Sequence, residues 1–209
     1  MLDRRTFNVA GFAALSSLPF TAHAAFAQDF DMAKLLELGP LPEKSLGDPA
    51  APVTMIEYAS ATCGFCARFH KQTFPALKER YIETGKVHFI SREFPLDALA
   101  AAAFMLARCV PDDKYFDFLD IVYETQTTWS RSDKPVDALF ALAQQGGLTR
   151  SEFDACLKNQ DLLEGINWTR QRAETEFGVR STPTFFVNGE LVRGAVTIDE
   201  LDRIIEQHL

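Results

Sequence analysis

The sequence predicts an α/β fold in which one βαβ unit and a later hairpin are separated by a long helical block, and three observations carry that prediction. An apolar strand pattern over Val53–Tyr58 runs into a cysteine pair and a helical pattern, and a second strand pattern follows from Val87 to about Glu93. From Asp97 to about Phe177 the apolar residues recur at helical spacing. Gly178 resets the pattern to a hairpin and one last helix.

Residues 1–27 have the parts of an export signal: Arg4 and Arg5, an apolar stretch from Val9 to Phe20, and small-x-small sites at Ala22-His23-Ala24 and Ala25-Phe26-Ala27. That stretch is shorter than the roughly 20 residues that cross a bilayer, so the expectation is a cleaved signal and no stable membrane insertion. Arg4-Arg5-Thr6-Phe7 fits the twin-arginine route and also the basic start of the general secretory route. Residues 28–52 read as a leader in which Met32, Leu35 and Leu36 make a helical turn or two before Gly39-Pro40 and Pro42 break it. This leader either docks on the domain or mediates association.

The strand at Val53–Tyr58 is entered after Pro52, and from Cys63 the residues Phe65, Cys66, Phe69 and Thr73 continue at helical spacing to Phe74-Pro75. A kink is expected there, because proline removes a helix hydrogen bond, and Gly85 ends the helix. Val87, Phe89 and Ile90 open the second strand, which Pro95 closes. If the two strands lie parallel, the cysteines sit at the strand-to-helix turn of a βαβ unit.

The helical block sets Leu99, Ala102, Ala103 and Leu106 on one face and Phe116, Leu119, Val122 and Tyr123 on another. A third helix fits Val136–Ala143, stopped by Gly146-Gly147, and a fourth opens with the capping box Thr149 and Glu152. A long helix over Asp161–Phe177 closes the block. Thr184–Val187, Asn188-Gly189 and Glu190–Arg193 spell a hairpin, since Asn-Gly supplies the positive φ angles of a type I′ turn. A second capping box, Thr197 and Glu200, starts a helix that turns Ile198, Leu201, Ile204 and Ile205 inward. The predicted division is an export signal at 1–27, a leader at 28–52, one domain over 53–96 and 176–209, and an inserted helical subdomain at 97–175.

A formal net charge of −8 repels nucleic acid and anionic lipid, so no nucleic-acid partner is expected. With 47% hydrophobic residues and 18 phenylalanines the chain can bury a full core, so its four cysteines are not there to staple a tiny domain.

Cys63-Gly64-Phe65-Cys66 sits where a strand hands over to a helix. The first turn of a helix presents unpaired N–H groups and the positive end of the macrodipole, so a thiolate at Cys63 is favoured. Cys66, one turn inward, is expected to be buried and harder to ionise. A substrate thiolate can attack a disulfide between them at Cys63 to give a mixed disulfide, from which Cys63 is in turn the good leaving group. The competing reading is half of a zinc site with His70 as a third ligand, or a copper or zinc carrier module, but neither a second close pair nor a His-x₃-His follows. His70, His88 and His208 are scattered and read as structural. Cys109 and Cys156 face the core of the helical block, where they either pair or act as small hydrophobes. No phosphate loop, zinc-protease pair or nucleophile elbow is present, and no cofactor is expected.

Several segments together resemble the DsbA-like periplasmic oxidoreductases: Ile56-Glu57-Tyr58-Ala59-Ser60 leading into the cysteine pair, Phe69-His70, Phe74-Pro75, Arg92-Glu93-Phe94-Pro95, and Gly178 through Thr182-Pro183-Thr184-Phe185. The resemblance spans about Asp48 to Leu209 and implies a thioredoxin-like fold carrying the helical insertion. It implies that Cys63 is the exposed nucleophile, Cys66 its buried partner, and Glu57 an acidic residue under Cys66 that relays a proton. It also implies a cis Pro183 facing the pair, with the Thr182 backbone, Gly64 and Phe65 meeting an extended substrate segment. A second disulfide, between Cys109 and Cys156, follows from the same resemblance. The implied partners are unfolded or partly oxidised exported proteins and a membrane redox protein that resets the pair. One departure stands out: the strongly oxidising members carry Pro-His between the cysteines, and this chain carries Gly64-Phe65. Phenylalanine cannot stabilise a thiolate as histidine does, so a milder oxidant is expected, with isomerase or reductase action as the alternative.

Overall fold

The computed structural model describes residues 30–209. The predicted export signal and the first two residues of the leader lie outside the described residues.

The described leader holds a single turn of helix, α1 (Met32–Leu35), capped by the Asp31 side chain on the Ala33 amide. A short strand, β1 (Lys44–Leu46), follows. The sequence reading left open that the leader docks on the domain but marked no strand in it. Lys-Ser-Leu lacks the β-branched and aromatic residues that mark a strand. Its conformation comes from the open edge it meets, where Lys44 pairs antiparallel with Ser91 and Leu46 with Phe89.

The βαβ unit then forms as predicted. Strand β2 (Val53–Ala59) leads to helix α2 (Gly64–Gln72), a short α3 (Phe74–Leu77) and a π-helical turn over Lys78–Ile82, and returns through β3 (Val87–Glu93). The axis breaks at Phe74-Pro75, where the missing N–H falls in the first turn of α3. Strands β2 and β3 run parallel, with Val53 opposite Val87 and Glu57 opposite Ser91.

The helical block comprises α4 (Ala98–Cys109), α5 (Tyr115–Glu124), α6 (Gln126–Trp129), α7 (Pro135–Gln145), α8 (Arg150–Leu157) and α9 (Gln160–Glu176). Thr149 and Glu152 close a reciprocal capping box at the start of α8. The chain finishes with β4 (Thr184–Val187), β5 (Glu190–Arg193) and α10 (Ile198–Glu206), whose own capping box joins Thr197 and Glu200. Asn188 and Gly189 take φ of 46° and 95°, as a type I′ turn requires. The hairpin turn is also tied down: the Phe30 amide donates to the Gly189 carbonyl, and Asn188 Oδ1 accepts from the Thr54 amide.

The sheet order is β1-β3-β2-β4-β5, antiparallel except between β2 and β3. Side-chain alternation along β2 divides the core. Val53 and Met55 join Phe69, Phe74, Leu201 and Ile205 on the face covered by α2, α3 and α10. Ile56 and Tyr58 join Leu35, Ala173 and Phe177 on the face covered by α1 and the end of α9. A third core fills the helical insertion and reaches Cys63 and Cys66. Charge is buried at its border with the sheet: Arg108 makes a two-pronged pair with Glu93, at 2.6 and 3.0 Å, and the Tyr115 hydroxyl donates to Glu93 at 3.0 Å.

Candidate active site

The loop leaving β2 is fixed before the cysteines begin. The Ser60 carbonyl accepts the Cys63 amide, the Ser60 hydroxyl accepts the Leu96 amide, and Thr62 donates to Asp97 at 2.7 Å. Cys63 then takes the extended backbone of an N-cap residue, and its carbonyl accepts the Ala67 amide. Its sulfur thus lies at the positive end of α2, where the first amides have no helical partner. Both cysteines are free thiols; Cys66 is fully buried and Cys63 keeps 8% of its surface in reach of solvent.

The two sulfurs have opposite acidities. Cys63 is pushed down to about 5, first by the Cys66 thiol donating to its thiolate, then by the Thr182 side chain and the Cys66 and Phe65 amides, with burial opposing them. As a neutral thiol it donates instead to the Thr182 carbonyl, 3.2 Å away. Burial pushes Cys66 well up, and the Cys63 thiol and the nearby Glu57 carboxylate add to that, against the Ser60 amide at 3.5 Å. The result is an anionic sulfur that barely reaches solvent and a protonated one fully buried beneath it.

Thr182-Pro183 is a cis peptide bond at the entrance to β4, and both residues are buried beside Cys63. Gly64 and Phe65 form the exposed first turn of α2. A Cβ at Gly64 would meet nothing within 4 Å, so packing does not demand glycine there. The Phe65 ring is 56% exposed with the Arg68 guanidinium 4.9 Å from its centre, and Leu96 is 49% exposed on the neighbouring loop.

Glu57 is completely buried on β2, on the face that α2 covers, and it does not stand alone. Its Oε2 meets His70 Nε2 at 2.9 Å, and the His70 ring stacks on Tyr123 of α5 at 4.2 Å. The sequence reading left His70 as an isolated structural residue. Its position one turn after Cys66 on the same helix face was the signal that could have tied it to the pair. Gln126, from α6, was missed entirely: its Nε2 donates to the carbonyls of Ala61 and Cys63 at 2.8 and 2.9 Å. No local pattern announces a glutamine that crosses from an insertion to a distant loop.

Cys109 and Cys156 lie apart from this site, at the end of α4 and in α8. They are joined in a disulfide that closes 47 residues of the insertion. Among the described residues, no group of three His, Cys, Asp or Glu side chains is placed to hold a metal ion, and His70 turns to Glu57 rather than to the cysteines. Nor is any helix among the described residues long and apolar enough to cross a membrane.

A family model described as thioredoxin matches residues 41–207. A Rickettsia typhi protein provisionally named a protein-disulfide oxidoreductase is 33% identical over 165 residues, covering 78% of this chain and 61% of that protein. The chain therefore spans about three fifths of the length of such relatives. Among solved structures, alpha-DsbA1 of Wolbachia pipientis superposes with a TM-score of 0.76 at 33% identity, over 83% of this chain and 94% of that one. BdbD of Bacillus subtilis superposes at 0.71 with 21% identity, over 79% and 92% of the two chains, and shares the fold. The fold is the thioredoxin fold with a helical insertion running from α4 to α9, and the chain belongs to the DsbA-like protein-disulfide oxidoreductase family.

Proposed function

We propose that this protein is an exported thiol-disulfide oxidoreductase that passes the Cys63–Cys66 disulfide to client proteins, acting mainly as an oxidase. The observation that carries the reading is the opposed acidity of the two sulfurs, with Cys63 pushed down to about 5 at a helix start and Cys66 pushed up by burial. A client thiolate attacks Cys63 Sγ, the Cys63–Cys66 bond breaks, and Cys66 leaves with the electron pair and takes up a proton. A second client thiolate then attacks the client sulfur of the mixed disulfide and releases Cys63 as its stable thiolate. The client is oxidised and the pair reduced, and an oxidising membrane partner resets it.

Thr182, Pro183 and the exposed Gly64 and Phe65 form the client-binding surface, and Leu96 extends its apolar part. An unfolded chain offers both the backbone groups that pair with an extended segment and the apolar side chains that cover Phe65. Glu57 serves as the proton partner of Cys66. The redox work belongs to 53–96 and 176–209, with 97–175 as the covering insertion and 28–52 contributing the edge strand β1. Residues 1–27 direct the chain out of the cytoplasm to the periplasm.

The equilibrium constant with glutathione, measured together with the rate of oxidation of a reduced client, tests this reading. An oxidising constant with catalysed disulfide formation supports it. A strongly reducing constant assigns the same cysteines to reduction or isomerisation, and an absence of exchange with any disulfide removes the reading altogether.

A further inference from the structure

The proposed chemistry leaves a proton problem at Cys66. Its sulfur is fully buried and pushed toward the neutral form, so every exchange requires a proton to reach it or leave it. Glu57 is equally buried and cannot trade that proton with water directly. One carboxylate oxygen, Oε2, is engaged by His70 Nε2, and Oε1 has no hydrogen-bond partner.

His70 provides the second half of a route. Its other ring nitrogen, Nδ1, is buried and has no partner, and the hydroxyl of Tyr123, whose ring stacks on His70, is buried and unpartnered as well. Both residues line a cavity of about 320 Å³ between α2, α3 and α5. A cavity needs only about 10–15 Å³ to admit one water, so this one admits several. Its lining carries exposed Lys71, Glu79 and Glu124 and includes none of Phe65, Thr182 and Pro183. The other charged groups around His70 are Glu57 from β2 and Asp120 from α5, and Lys78 and Glu83 also line the cavity.

We infer that His70 is a positioning residue that hands protons between Glu57 and the solvent of this cavity, so that Cys66 is charged and discharged from behind while clients occupy the front. The inference rests on the exchange chemistry proposed above. In client oxidation, Cys66 leaves Cys63 as a thiolate and takes the proton shared by Glu57 and His70, and the pair regains one from the solvent of the cavity that His70 lines. In the reverse direction the Cys66 thiol gives its proton to that pair, and the thiolate attacks Cys63 Sγ and expels the client thiolate. An imidazole suits this task because its two nitrogens take and give a proton on opposite sides.

The test mixes reduced full-length protein with oxidised glutathione and follows acid-quenched samples by mass spectrometry. The first phase forms the Cys63–glutathione mixed disulfide, and the second, attack by Cys66, releases glutathione. In His70→Gln, which keeps a hydrogen bond to Glu57 but carries no proton, the first phase is expected unchanged and the second slower by about 100-fold, with its pH dependence altered. Free imidazole is expected to restore the second phase in His70→Gly. An unchanged second phase across pH in folded His70→Gln overturns the relay and leaves the cysteine chemistry standing, whereas a missing first phase in the unaltered protein removes the chemistry itself. Should the variants not fold, the His70 ring nitrogens of the unaltered protein, followed by NMR, decide the matter. Signals that titrate differently in the reduced and oxidised forms support the relay, and signals indifferent to the redox state overturn it.

Discussion

Gln126 Nε2 donates to the Cys63 carbonyl at 2.9 Å and at the same time to the Ala61 carbonyl at 2.8 Å. The helical insertion therefore does more than cover the sheet: it grips the backbone on both sides of Thr62 and sets the angle at which α2 begins. Gln126 is itself buried, so its amide has no recourse to water.

Replacing it by leucine keeps the volume and removes the grip. The Cys63 carbonyl keeps the Ala67 amide, but the Ala61 carbonyl loses its donor. A buried carbonyl left unpaired costs about 1–3 kcal/mol, so Gln126→Leu is expected to lower the unfolding free energy by that amount in urea titrations. The same variant is expected to exchange disulfides more slowly, because the helix terminus that favours the Cys63 thiolate is no longer fixed. An unaltered rate would mean that the loop holds its shape without the insertion.

The two cysteines are expected to fail in different ways. Cys63→Ala loses turnover, since the remaining sulfur of the pair, Cys66, is fully buried. In Cys66→Ala the Cys63 thiolate still attacks a disulfide in an oxidised client and releases a client thiolate, but no Cys66 is left to displace the client from Cys63, so mixed disulfides accumulate and are visible on non-reducing gels. Full activity in either variant would count heavily against the mechanism.

The Cys63 acidity also predicts how stability varies with pH. An unperturbed cysteine titrates near 8.5, and in the fold Cys63 is pushed down to about 5. The folded-state value is the lower one, so the stabilisation is fully present above the unfolded value and is lost as pH falls through the folded one. Between pH 5 and 8 the stability of the reduced protein relative to reduced Cys63→Ala is expected to rise by up to about 1.4 kcal/mol per pH unit. Burial makes Cys66 a weaker acid in the fold than in the open chain and acts oppositely, removing stability as pH climbs past about 8.5, which is why the comparison stops at 8. A flat difference would show that the thiolate is no more stable in the fold than in the open chain.

The Cys109–Cys156 bridge closes 47 residues and so restricts the unfolded insertion. On the chain-entropy account its removal in Cys109→Ala/Cys156→Ala costs about 4 kcal/mol. Thermal unfolding measures the loss, and the double variant is expected to retain exchange at 25 °C because neither sulfur belongs to the Cys63 site.

Arg108→Ala is expected to be more damaging than its distance from the cysteines suggests. It strips the two-pronged partner from a Glu93 carboxylate that is 1% exposed. An unpaired buried charge costs about 3–5 kcal/mol, and Glu93→Gln in the same background is expected to recover part of the loss in chemical denaturation.

By itself the sequence determined the local features of this protein. Apolar periodicity marked β2, β3, α9 and α10, Asn188-Gly189 marked the hairpin, and Thr149 with Glu152 and Thr197 with Glu200 marked two helix starts. The cysteine pair was legible for the same reason, since a thiol at a strand-to-helix turn feels the helix terminus whatever surrounds it. Only the tertiary structure decided what depends on residues far apart in the chain. Lys44–Leu46 is a strand because β3 has an open edge, and Gln126 reaches Cys63 because α6 folds back over the loop. Glu57, His70 and Tyr123 meet because β2, α2 and α5 pack together. Periodicity gave Tyr123 a face of its own helix and left unsaid which elements meet, and it is burial, which removes water as the alternative partner, that makes those contacts matter.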